Sequence, residues 1–173
     1  MSKTWVIADP HFGHRNSLTF LKADGSRLRP FSSVEEMDGV MAARWNERVG
    51  DQDRIYVLGD VAMHHRNLSI LHQLKGRKVL VRGNHDMAKL SQYAQYFQDV
   101  RAIVVKRGFA LTHVPVHPDC LARWGINIHG HTHANRILDP KWGKPDPRYI
   151  CVSVEQNDFA PVDLQDILDG RFK

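Results

Sequence analysis

Short apolar, β-branched runs recur along the chain at Thr4–Ala8, Arg54–Leu58, Lys78–Val81, Ala102–Val105, Phe109–Thr112, Ile126–Ile128 and Tyr149–Val154. Each has the length of a strand, and several are too uniformly apolar to alternate, which predicts strands buried on both faces. Between the first two runs the period changes. Val34, Met37, Met41, Trp45 and Val49 fall on one helical face. Ser33 followed by Glu36 makes a capping box at its start, and Gly50 marks its end. Asn67–Leu74, closing on Gly76, and Met87–Phe97 read as further helices. The segment Asp139–Arg148, with Pro140, Pro145 and Pro147, predicts a loop, and 161–168 a short helix with Pro161 at or near its start. Strands alternating with helices predict a layered α/β domain. No linker, repeat or low-complexity tract divides residues 1–173, so a single domain is expected.

Composition narrows the classes. A hydrophobic share of 42% with 25% charged residues excludes a disordered chain. Cys120 and Cys151 are isolated, which excludes a disulfide framework and a cysteine-rich zinc module. No run approaches about 18 apolar residues and no apolar stretch follows Met1, so no membrane segment is expected and the default location is the cytoplasm. The net charge of +5 favours phosphate-bearing partners, yet the cations are spread along the chain apart from a cluster at Lys75–Arg82. Eleven histidines in 173 residues is a high count for a residue that ligates metals, and it turns attention to metal chemistry. Oligomeric state leaves no signature: the aromatics of Tyr93–Phe97 and Trp142 either pack at home or meet a second copy.

The informative positions follow the strands. The first run ends in Asp9-Pro10-His11, the second in Gly59-Asp60, the third in Gly83-Asn84-His85-Asp86. Phe109–Thr112 ends in His113, and Ile126–Ile128 runs into Gly130-His131-Thr132-His133. Taken singly, Asp-x-His and Gly-Asp are common turn pairs. A specified string such as Gly-Asn-His-Asp appears by chance in roughly one chain of this length in a thousand. Open α/β sheets bind ligands outside the carboxyl ends of their strands, so all five groups are placed to converge.

In this order the five elements resemble the signature of the calcineurin-like metallophosphoesterases, and Ala8–Asn16 is similar to the opening of their small bacterial and phage members. The resemblance implies a four-layer α/β/β/α sandwich of two mixed β-sheets flanked by helices. It implies hydrolysis of a phosphodiester, with a phosphomonoester as the lesser alternative, by a hydroxide activated between two divalent metals. Asp9, His11, Asp60 and His133 would hold one metal. Asn84, His113 and His131 would complete the other, with Asp60 bridging. His85 would face the phosphate with Asn84 and act as acid or transition-state stabiliser, and Asp86 would orient it. His14 and Arg136 are candidates to touch a substrate phosphate. Imidazole, carboxylate and amide donors without thiolate suit manganese, iron, zinc or nickel, and the resemblance favours manganese. The expected partner is a small-molecule or nucleotide phosphoester. A nuclease acting on nucleic-acid ends and a metal-binding scaffold for protein partners are the alternatives. His64, His65, His117 and His129 read as solvated loop or strand residues outside the site.

Overall fold

The computed structural model describes residues 2–172. In chain order the strands are β1 (Thr4–Ile7), β2 (Arg54–Val57), β3 (Arg77–Val81), β4 (Asp99–Arg101), β5 (Val104–Lys106), β6 (Phe109–Leu111), β7 (Ile126–His129), β8 (Tyr149–Cys151) and β9 (Val162–Asp163). Four α-helical segments accompany them: α1 (Val34–Arg48), α2 (Leu90–Tyr93), α3 (Pro118–Trp124) and α4 (Leu164–Leu168). One sheet has the order β4-β3-β2-β1-β9 and the other β5-β6-β7-β8. Both are mixed. β9 runs antiparallel to β1 and β5 antiparallel to β6, while every other pair is parallel. The two sheets and their flanking helices form the α/β/β/α sandwich that the resemblance implies, a particular case of the layered α/β domain predicted by the sequence pattern.

Strand alternation builds the layers. In β1, Trp5 and Ile7 join Met37, Met41 and Trp45 of α1 in one apolar cluster. Val6 and the following Ala8 point the other way, into a second cluster with Leu111, Ile128 and Val152 between the sheets. This two-sided burial explains why the β1 to β3 runs lack polar alternation. Each fully buried large apolar side chain contributes about 1.5–3 kcal/mol. Tyr93 and Phe97 belong to the helix-side cluster, so these aromatics pack at home, whereas Trp142 is exposed with the Lys141 ammonium 4.5 Å from its ring centre.

Helix α1 begins as its capping signal dictates. Ser33 Oγ accepts from the Glu36 amide at 3.1 Å, and the Glu36 carboxylate accepts from the Ser32 amide at 2.7 Å. Other boundaries differ from expectation for tertiary reasons. The stretch 65–73 is a 3-10 helix, and the helix expected over Met87–Phe97 shrinks to Leu90–Tyr93. The missing turns are drawn into the loop after β3, where Arg82 Nε donates to the Asp86 carbonyl at 2.7 Å. Pro161 precedes the two-residue strand β9, and Asp163 caps α4 by accepting from the Gln165 amide at 3.0 Å. Short edge strand β4 and helix α3 carry too little periodicity to be read in advance. Among the described residues, no helix is long and apolar enough to cross a membrane.

One feature of the topology positions the site. Beyond β1 the chain leaves its own sheet and bridges the other: Ala8 pairs with Ser153, its amide donating to Val152 and its carbonyl accepting from Val154. The sheets are therefore seamed together at the carboxyl ends of β1 and β8.

Candidate metal centre

All five signature segments lie at this seam and zip to one another past the ends of their strands. The Asp9 amide donates to the Gly59 carbonyl at 3.1 Å, that of His11 to Asp60 at 3.0 Å, and that of Gly130 to His113 at 3.0 Å. The backbone turns sharply where the donors sit. Asp9, His11, Asp60, His131 and His133 all adopt positive φ, between 49° and 69°. Left-handed backbone is unfavourable for residues other than glycine, and Asp and His tolerate it better than bulky types. Such strain concentrates where surrounding structure enforces it.

The motif glycines permit this crowding. A Cβ on Gly59, itself at φ +82°, would meet Gly83 backbone and His113 Nδ1 at 2.6 Å. On Gly83 it would collide with Asp60 Oδ1, and on Gly130 it would meet Asp9 Oδ2 at 2.6 Å. Glycine is thus required at three of the signature positions by the close approach of other signature segments: Gly83 and His113 at Gly59, Asp60 at Gly83, and Asp9 at Gly130.

Two donor groups result. Asp9, His11 and His133 offer ligand atoms that all lie within 4.8 Å of one another, and so do Asp9, Asp60 and His113. Asp60 Oδ2 lies 3.5 Å from both His11 Nε2 and His113 Nε2, between the two groups. His113 Nδ1 donates to the Leu58 carbonyl at 2.8 Å, which leaves a lone pair on Nε2. That lone pair faces Asn84 Oδ1 at 2.8 Å, and His131 Nδ1 stands 3.2 Å away. The Asn84 oxygen, the Asp60 carboxylate and His113 Nε2 are all atoms able to ligate a metal ion. Their convergence fits a cation.

Electrostatics agree. Asp9 is fully buried; its Oδ2 accepts from the His131 amide (2.9 Å) and Ser153 Oγ (2.5 Å), while Oδ1 has no hydrogen-bond partner. Burial pushes its carboxyl up to about 6. His11 Nδ1 is also buried without a partner, and burial, aided by the charge of Arg29, holds the imidazole down near 2, neutral and ready to ligate. His133 is desolvated too, but a 3.1 Å hydrogen bond to Glu155 and the charge of that carboxylate outweigh burial and raise it.

The remaining expected residues fall as follows. His85 is exposed, its amide donates to Asp60 Oδ1 at 2.9 Å, and its ring stands edge-on to His11 with centres 5.6 Å apart. Asp86, expected to orient His85, has other partners. Its carboxylate accepts from the amides of Asp60 (2.9 Å), Val61 (3.0 Å) and Gly83 (2.8 Å), so it braces the Asp60 loop against the Asn84 loop. His14 is half-buried with its ring 5.5 Å from that of His11 and 5.7 Å from Phe20; burial lowers its basicity. Arg136 lines a mainly apolar cavity of about 470 Å³ with His129, Tyr149 and Phe172. His129 is fully buried, unlike the solvated residue expected, and His64 lines two clefts that flank Met63.

Three residues at the centre were not anticipated: Ser153, Glu155 and Arg29. Ser153 lies near the end of the last apolar run, Tyr149–Val154, and Glu155 directly follows it; both come just after strand β8, as the other donors come after theirs, and that shared position is the one signal that could have found them. Arg29 lies in an irregular segment with no such signal.

No protein-family model matches the chain. It is 34% identical over 168 residues to the uncharacterized protein MJ1445 of Methanocaldococcus jannaschii, spanning 95% of this chain and 88% of that one. It is 29% identical over 175 residues to the gene 66 protein of mycobacterium phage L5, spanning 80% and 81%. Among solved structures, a protein of unknown function from Aquifex aeolicus, AQ665, superposes with a TM-score of 0.72 at 26% identity, over 98% of this chain and 99% of that one.

Proposed function

The chain belongs to the family of the Methanocaldococcus jannaschii protein MJ1445, and we propose that it is a single-domain, metal-dependent phosphoester hydrolase with a dinuclear site. The observation that carries this reading is the meeting of His113 Nε2, Asn84 Oδ1 and Asp60 Oδ2, acceptors facing one another beside a second Asp/His group. Asp9, His11, Asp60 and His133 would hold one ion, and Asn84, His113 and His131 would hold the other together with Asp60. When bound there, two such ions would supply an acidified water as nucleophile and neutralisation of charge on the phosphoryl oxygens. The donor set, without thiolate, suits manganese, iron, zinc or nickel, and manganese is favoured among them by the resemblance to small bacterial metallophosphoesterases.

The protein's own groups do the rest. His85 stands exposed at the mouth, fixed through its amide on Asp60, and gives its ring proton to the leaving oxygen. Asp86 keeps the loops bearing Asp60 and Asn84 in register. Beside His85 opens a cleft of about 330 Å³ whose polar lining includes His64, His65 and Lys89 and no carboxylate. A leaving group with its own negative charge suits that cleft, which favours a nucleotide-like diester over a neutral alcohol ester.

The test is hydrolysis of a chromogenic diester and the matching monoester by metal-stripped protein, repeated after adding manganese, nickel, zinc, magnesium or iron. Metal-restored diester turnover that exceeds monoester turnover is expected. Silence with every ion, in protein shown to bind two, would overturn the enzymatic reading in favour of a scaffold.

A further inference from the structure

Arg29 and Glu155 are 126 residues apart in sequence, and both side chains have no solvent exposure. Glu155 Oε1 accepts from Arg29 Nε at 2.8 Å and lies 2.7 Å from Nη2. Desolvating two charges costs more than a surface pair could return, so a fully buried pair calls for a reason beyond stability. Its other contacts supply one. Arg29 Nη2 donates to the Asp9 carbonyl at 2.6 Å and Nη1 to the Pro10 carbonyl at 2.7 Å, gripping the left-handed turn that carries Asp9 and His11. Glu155 Oε1 also accepts from His133 Nδ1 at 3.1 Å, which puts the imidazole proton on Nδ1 and leaves Nε2 as the free ligand atom. The pair thus touches the Asp9 backbone, the Pro10 backbone that leads into His11, and the His133 ring. Among the contacts described, none joins it to Asn84, His113 or His131.

We infer that Arg29 and Glu155 are positioning residues that preset one half of the site, holding the Asp9–His11 turn and selecting the His133 tautomer before an ion arrives. The inference rests on the metal-binding reading above. It assigns a purpose to the irregular segment 20–32, which delivers a guanidinium under the Asp9 turn; Asp9 lies within reach of both donor groups, and its assignment above to one ion is what makes the two halves of the site separable.

The test has two arms. In metal-stripped, full-length wild-type protein at alkaline pH, long-range ¹⁵N–¹H correlation should show His133 as the Nδ1–H tautomer; a proton on Nε2 would overturn the inference without any variant. In the second arm, Mn²⁺ is titrated calorimetrically into wild type, Glu155→Gln, Arg29→Lys and, as a control remote from the site, Asp53→Asn. Glu155→Gln and Arg29→Lys should each bind one ion with wild-type affinity and the other about 10–100-fold more weakly, the usual effect of losing an outer partner of a metal ligand. Asp53→Asn should leave both unchanged. Two ions at wild-type affinity in both pair variants would overturn the inference. If a pair variant fails to fold, the tautomer arm decides. A wild type that binds no ion refutes the hydrolase reading instead, while the tautomer still reports on the pair.

Discussion

Asp9 and Asp53 sit at opposite ends of the same parallel pair, one just after β1 and the other just before β2, and they have opposite fates. Asp53 is an exposed-end staple: its carboxylate accepts from the amides of Gly50 (2.9 Å) and Lys3 (2.8 Å) and from the Trp5 indole (2.9 Å), and these bonds hold its carboxyl below the usual range. Asp9 is buried, keeps an unpartnered oxygen, and is pushed up by desolvation. Around Asp53 lie ordinary ion pairs such as Lys3–Asp163 at 3.0 Å; Asp9 is itself on left-handed backbone, together with His11, Asp60, His131 and His133. Strand polarity thus segregates two tasks. The amino ends of the strands are satisfied within the protein, and the carboxyl ends hold acceptors that the protein alone does not satisfy.

Substitutions can break or sharpen that contrast. The largest effect is expected from Asp60→Asn, which keeps a side chain tolerant of φ 53° but removes the charge between the two groups. Both ions should be lost and diester turnover should fall to background; elemental analysis showing two retained ions would contradict a shared Asp60. Next comes His85→Ala, which leaves the Asp60-bound amide in place. Turnover should drop by about 10²-fold or more with both ions kept, as for a lost acid catalyst. Unchanged turnover would make His85 a bystander.

A third comparison uses pH and the buried His129, whose imidazole burial holds down at about 4 against an ordinary 6.5. Between pH 7 and 5 the unfolded chain binds a proton there that the folded protein refuses, so this group's share of stability falls by about 2 kcal/mol on acidification. The stability gap between metal-free wild type and His129→Phe should therefore shrink by that amount from pH 7 to 5 in denaturant titrations. A gap independent of pH would show that His129 is not held neutral. The smallest effect belongs to the satisfied end: Asp53→Asn should lower stability by about 1 kcal/mol through weakened hydrogen bonds and leave turnover untouched.

Much of the site was readable because its parts are local. Asp9, His11, Asp60, Asn84, His113, His131 and His133 stand within a few residues of strand ends, and uninterrupted apolar runs that give way to polar residues or glycine mark those ends in the sequence. The same locality made α1 legible, from Ser33 and Glu36 to its Met37, Met41 and Trp45 face. Asp86 shows the limit. Its neighbour in sequence is His85, yet its carboxylate reaches sideways to the Asp60 and Val61 amides, a contact that exists only once β2 and β3 lie side by side.

By itself the sequence determined the α/β layering, the inventory of candidate metal donors and their order along the chain, since apolar runs and short motifs encode these over a few residues. Tertiary structure alone decided that the two sheets join through Ala8 and Ser153, that Ser153 takes one oxygen of Asp9 and leaves the other open, and that Arg29 meets Glu155 beneath the site. These depend on contacts between segments more than a hundred residues apart, where no local period carries information and only the packing of one layer on another brings the partners together.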